Sequence, residues 1–185
     1  MHREYLKDLL KHYFPSDTEE IVAKEKMLKF LDENINCFDR SCIKGHFTAS
    51  AWLLNRDGDK VLLMHHAKLD KWMQLGGHCE GDSDVLRVAI KEAQEESGIN
   101  NIIALSDEIF DIDIHLIPDT PREPAHLHFD VRFLLQVHPD SYETIIQNEE
   151  SKALAWFGRN DKFPTNSRSV VRMFEKWVAG VKQST

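Results

Sequence analysis

Three carboxylates crowded on one short stretch are the part of this chain best suited to chemistry. "IKEAQEESGIN", residues 90–100, carries Glu92, Glu95 and Glu96. On a helix these spacings put all three on an arc of roughly 100°, where like charges three and four residues apart repel one another. They also stand at the C-terminal end of the run, where the helix dipole disfavours each negative charge by roughly 0.3–1 kcal/mol. A solvated acidic face is one reading. The other is a hard, oxygen-seeking divalent cation, Mg2+ or Mn2+, which turns the repulsion into ligation.

A helix from about Ser83 to Ser97 has to position these acids, with Ser83 as its N-cap and Gly98 as its C-terminal cap. Leu86, Ala89, Ile90 and Ala93 lie on the opposite arc and form a small-residue face that packs closely on a sheet. Ahead of the helix, "WMQLGG" reads as a strand ending at Gly76 and Gly77, residues that let the backbone approach a metal or phosphate closely.

Around this centre the chain divides by pattern. Tyr5, Leu6, Leu9, Leu10 and Tyr13 have helical spacing until Pro15 stops them, and Ser16 with Glu19 has capping-box spacing before a second amphipathic run, Ile21 to Leu31. Residues 1–36 are therefore expected to be an N-terminal helical pair. "HFTASAWLLN" and "KVLLMHHA" are strand-like runs joined by the hairpin signal Asp57-Gly58. Further strands are expected at 102–105, 108–117 and 125–137, with a Pro-rich charged loop between the last two, and another ends in "LAWF" at 154–157. Val170, Val171, Phe174, Trp177 and Val178 mark a closing amphipathic helix, expected over 166–182 and packed on the domain. Strands and helices mixed without strict alternation point to an α/β chain, a sandwich of α+β or α/β/α type.

Composition narrows the function classes. A length of 185 residues allows one well-cored domain with additions. A formal net charge of -8 argues against non-specific DNA binding, which draws its affinity from Lys and Arg. No apolar run approaches the roughly 20 residues of a spanning helix. The charged start "MHREYLKDLLKHYF" is unlike a secretory signal, so a cytoplasmic protein with no membrane partner is expected. Cys37, Cys42 and Cys79 are an odd set without a Cys-x-x-Cys pair, suggesting reduced structural thiols.

The stretch "GGHCEGDSDVLRVAIKEAQEESGI" resembles the Nudix box. Gly77, Glu92, Ala93, Glu95, Glu96, Gly98 and Ile99 fall in register with it, whereas Ser83 stands where a Glu is usual and Lys91 where an Arg is usual. The resemblance implies a Nudix-type α/β/α sandwich with a mixed sheet over residues 43–160. It implies a metal-dependent hydrolase that cleaves a diphosphate (pyrophosphate) linkage in a nucleoside diphosphate linked to another group, or in a related compound. Glu92, Glu95 and Glu96 would then be metal ligands and catalytic groups, with a carbonyl near Gly77 as a further ligand and Mg2+ or Mn2+ as cofactor. Glu150, ahead of Glu149, is the candidate for the additional Glu outside the box that reaches the metal or orients the water. The usual Glu and Arg form an ion-paired brace, and here both ends change together; Lys91 is carried as a substrate-binding candidate. A small, nucleotide-containing diphosphate is the expected partner, and a homodimer is left open. The competing readings are a catalytically weak Nudix-like nucleotide-binding or regulatory module and a Nudix-fold isomerase, for which Cys79 is a poor match.

"HLHFD" adds a second constellation. His126, His128 and Asp130 alternate with Leu127, Phe129 and Val131, so the polar set shares one strand face. Arg132, Phe133 and Leu134 stand where a cupin-type third metal ligand, a Glu, would be needed. His126 and His128 therefore read as substrate-facing or hydrogen-bonded histidines and not as a zinc site. His65 and His66 read as surface residues.

Overall fold

A computed structural model of the chain describes residues 2–121 and 124–182. Arg122 and Glu123, part of the Pro-rich loop, lie outside the described residues. Four helices and eight strands are present among them: α1 (Glu4–His12), α2 (Thr18–Glu33), β1 (Gly45–Leu54), β2 (Lys60–His66), β3 (Lys71–Met73), β4 (Leu75–His78), α3 (Val85–Ser97), β5 (Ile102–Ala104), β6 (Asp111–Ile117), β7 (His126–Val137), β8 (Ser151–Gly158) and α4 (Arg168–Lys182). Hydrogen bonding links the strands in the order β3-β2-β1-β7-β5, with β4 on β1, β6 on β7 and β8 on β2. The fold is α/β. No described helix is long and apolar enough to cross a membrane.

The chain folds as two compact units. The first comprises Met1–Ser50, Gly76–Ala89 and Ser106–Phe133. In it, α2 buries Ala23, Met27, Phe30 and Leu31, one helical stripe. Phe30 stacks on Phe129 of β7 at 4.1 Å between ring centroids and lies 6.0 Å from Phe47 of β1. The apolar face predicted for the β7 strand thus meets the N-terminal helical pair. The cap of α2 is Asp17, whose carboxylate accepts from the N–H groups of Glu19 and Glu20, and not Ser16 as the capping-box spacing suggested. Asp and Ser cap equally well, so adjacent candidates shift the start by one residue. β6 begins at Asp111 and not at Glu108, because the Ser106 hydroxyl takes the Glu108 N–H and holds a turn there.

The second unit comprises Ala51–Leu75, Ile90–Leu105 and Leu134–Thr185. Here β2 pairs antiparallel with both β3 and β8. α4 buries Val170, Met173 and Trp177, with Trp177 set edge-on to Trp52 at 6.4 Å. "WMQLGG" is two strands instead of one, since β3 pairs with β2 whereas β4 turns to β1.

Candidate active site and histidine cluster

The helix that carries the acids begins at Val85, later than expected, and its cap differs from the sequence reading. The Asp84 carboxylate accepts the Arg87 N–H at 3.1 Å, a role assigned to Ser83. Its buried stripe is also rotated. Val85, Val88, Ala89 and Ala93 are buried, while Leu86 and Ile90 are only half-covered. The rotation carries two acids along: Glu96 is 4% exposed and the Glu92 side chain 15%, whereas the Glu95 side chain is 57% exposed. Withdrawing a carboxylate from water is costly unless a cation or hydrogen-bond donors receive it.

Lys91 joins this group. Its ammonium lies 3.4 Å from Glu95 and 3.8 Å from Glu92. The repulsion foreseen among the acids is therefore softened by a neighbour on the same helix.

The last turn of α3 is pinned where the acids sit. Gly98, at φ +74°, donates its N–H to Gln94, while Ile146 donates its own to the Ser97 carbonyl at 2.8 Å. The Ser97 hydroxyl receives the Ile99 N–H. A Cβ on Gly98 would come within 2.6 Å of the Ile146 Cβ. Gly98→Ala is therefore expected to lower stability by about 1–3 kcal/mol. A urea midpoint unchanged from that of the parent chain would contradict this account of the cap.

Glu150 is exposed on the loop entering β8, where its carbonyl accepts the Ala67 N–H at 2.8 Å. Its charge acts on His66 at the end of β2, where burial pushes the imidazole pKa down and Glu150 partly opposes it. His65 stacks on Trp72 at 5.2 Å and pairs with Asp70. Both histidines are thus more engaged than a surface reading allowed.

The first unit holds Gly77 on β4 and a polar network that the sequence reading only glimpsed. The polar face of β7 is not solvated. Arg132, 2% exposed, donates to Asp130 at 2.7 Å and Asp111 at 3.0 Å and lies 3.4 Å from Asp113. Asp130 also accepts from Thr48 at 2.9 Å and Ser50 at 2.7 Å. Burial pushes the Asp130 pKa up, but the Arg132 guanidinium outweighs it and the net shift is downward. Asp111, Asp113 and His115 on β6, and His46, Thr48 and Ser50 on β1, show the same alternation as "HLHFD". That period of two was the unused signal. Gly76 passes close to β1, where a Cβ would meet the Ser50 hydroxyl at 2.3 Å, so this glycine serves strand packing.

At the N-terminal end of the same face the structure gathers histidines. His78 and His126 each place Nε2 at 3.2 Å from Nε2 of His128, and the His46 ring lies 4.9–5.0 Å from the other three.

The model of the NUDIX domain matches residues 44–176. The chain belongs to the NUDIX family. It is similar to the "Probable DHNTP pyrophosphohydrolase" of Lactococcus lactis subsp. cremoris, at 28% identity over 135 residues that cover 69% of this chain and 80% of the relative. Among solved structures it is similar to a NUDIX-family hydrolase from Clostridium perfringens, with 28% identity and a TM-score of 0.52 over 72% of this chain and 97% of that one. The C. elegans Ap4A hydrolase in its binary complex shares the fold, with a TM-score of 0.57 at 16% identity over 74% and 98% of the two chains. The Nudix chain is thus an enzyme acting on phosphoric anhydrides.

Divalent metal ions are general in the family. The α3 acids are hard oxygen donors of the kind such an ion takes, with Glu92 and Glu96 largely withdrawn from water and Glu95 exposed.

Proposed function

We propose that this Nudix chain is a Mg2+- or Mn2+-dependent hydrolase that cleaves a pyrophosphate linkage in a small, nucleotide-containing diphosphate, with Glu92, Glu95 and Glu96 as its principal metal ligands. One observation carries the reading: three carboxylates in the family's spacing share one arc of α3, and two of them are largely withdrawn from water. The ion, when bound, offsets the charge that develops on the bridging and non-bridging phosphate oxygens and acidifies the attacking water. The protein's part is to hold its groups still. Capping at Gly98 fixes the turn that bears Glu95 and Glu96, so the carboxylates need no rearrangement as charge develops. Glu150 accepts a proton from the water or orients it, and Lys91 receives a phosphate oxygen of the substrate.

The test is a panel of dihydroneopterin triphosphate, ADP-ribose, nucleotide sugars, dinucleoside polyphosphates, oxidised nucleotides and non-nucleotide diphosphates, each with Mg2+ and Mn2+ and with products identified by mass. At least one is expected to split at a phosphoric anhydride. Binding of nucleotides without turnover across the whole panel would favour the binding-module alternative.

A further inference from the structure

His46 on β1, His78 at the end of β4, and His126 and His128 on β7 bring four imidazoles together inside the first unit. Among the described residues, His46, His78 and His128 can each offer a ligand atom, all within 4.8 Å of one another. Two Nε2 to Nε2 separations of 3.2 Å share His128 as their common corner. Four ligands around an ion with metal–nitrogen bonds of 2.0–2.1 Å stand about 3.3–3.4 Å apart along each tetrahedral edge. The cluster therefore already holds two edges of such a tetrahedron.

Proton placement favours the same arrangement. Nδ1 of His126 lies 2.9 Å from the Pro124 carbonyl, which can only accept, so Nδ1 carries the proton and Nε2 points a lone pair at His128. A single proton on His128 Nε2 can align with His126 or His78 but not with both. A cation receives all the lone pairs at once. A backbone carbonyl fixing the far nitrogen of an imidazole is the usual outer partner of a metal-ligating histidine.

We infer that His46, His78, His126 and His128 form a binding site for a zinc-class transition-metal ion, distinct in donor chemistry from the carboxylates of α3. Neutral nitrogen donors select Zn2+ and its neighbours over Mg2+. The ion fastens β4, and with it Gly77, to β1 and β7. Sequence reading sets zinc aside because Arg132, Phe133 and Leu134 stand where a third ligand to the His-x-His pair is needed. His46 and His78 supply the ligands that reading lacked.

The test uses the full, tag-free chain stripped with chelator and titrated with Co2+ and then Zn2+. One equivalent of Co2+ is expected, with the intense visible bands of tetrahedral coordination, displaced by Zn2+ and accompanied by a rise in Tm. His78→Gln and His128→Gln are each expected to weaken Zn2+ binding at least about tenfold, while Glu92→Gln with Glu95→Gln leaves it unchanged. An octahedral spectrum, absence of Co2+ binding by the parent chain, or loss confined to the glutamate variants would overturn the site. The parent spectrum decides the matter even if a histidine variant fails to fold. A raised KM in His128→Gln without any metal bound by the parent would instead assign these histidines to the substrate.

Discussion

Hydrolysis of a pyrophosphate substrate by Glu92→Gln, Glu95→Gln or Glu96→Gln is expected to fall at least about tenfold, and about 100-fold or more where the ligand also shapes the charge at the reacting phosphate. Gln keeps the size of Glu and removes its charge, so the ion loses a hard anionic oxygen while the helix keeps its packing. Stability of the metal-free protein should move little in Glu92→Gln and Glu95→Gln, because each i, i+3 or i, i+4 charge pair on a helix amounts to roughly 0.2–0.5 kcal/mol. Lys91, beside both residues, halves the argument for a gain, since removing either acid relieves a repulsion and also loosens an ion pair. The check is kcat and KM at saturating Mg2+ beside a thermal melt in chelator. Lost activity with an unchanged melt assigns the acids to chemistry, and unchanged activity in all three variants would remove them from it.

The second large effect concerns Arg132. Arg132→Met is expected to destabilise the fold by about 3–5 kcal/mol, because it leaves the Asp130 and Asp111 carboxylates buried without their guanidinium. Against a typical total of about 5–15 kcal/mol, that is enough to depress soluble yield. Converting the partners as well, in Arg132→Met with Asp130→Asn and Asp111→Asn, should recover a good part of the loss, since the cost lies in the orphaned charges. Chemical denaturation of the single and the combined variant measures this. A single variant within about 1 kcal/mol of the parent would show that water reaches these carboxylates after all.

Arg132 also marks where sequence reading stopped. The acids and glycine cap of α3 were legible because they lie with the family spacing within one continuous segment, whereas its N-cap slipped from Ser83 to the equally suitable Asp84. The apolar face of β7 was legible because alternation is a local property. What the opposite face meets is not local. Asp130 is held by Thr48 and Ser50 from far earlier in the chain, and Arg132 by Asp111 and Asp113 across the β6–β7 pairing. Each of these strands alternates polar residues, yet nothing in any one strand says that the polar faces share an interior. His46 and His78 escaped notice for the same reason, each being a lone histidine in its own segment. The rotation of the α3 stripe toward Val85 and Val88 came from tertiary packing, which periodicity alone does not specify.

The central claim is that metal held by the α3 carboxylates drives hydrolysis of a phosphoric anhydride. Its most direct measurement is cleavage of the preferred panel substrate in water enriched in heavy oxygen, with and without excess chelator, for the parent chain and Glu96→Gln. The account predicts that one phosphate product gains a single heavy oxygen, that chelator abolishes turnover and Mg2+ or Mn2+ restores it, and that Glu96→Gln stays slow under every condition. Full turnover in excess chelator, or an equal rate in Glu96→Gln, would contradict it.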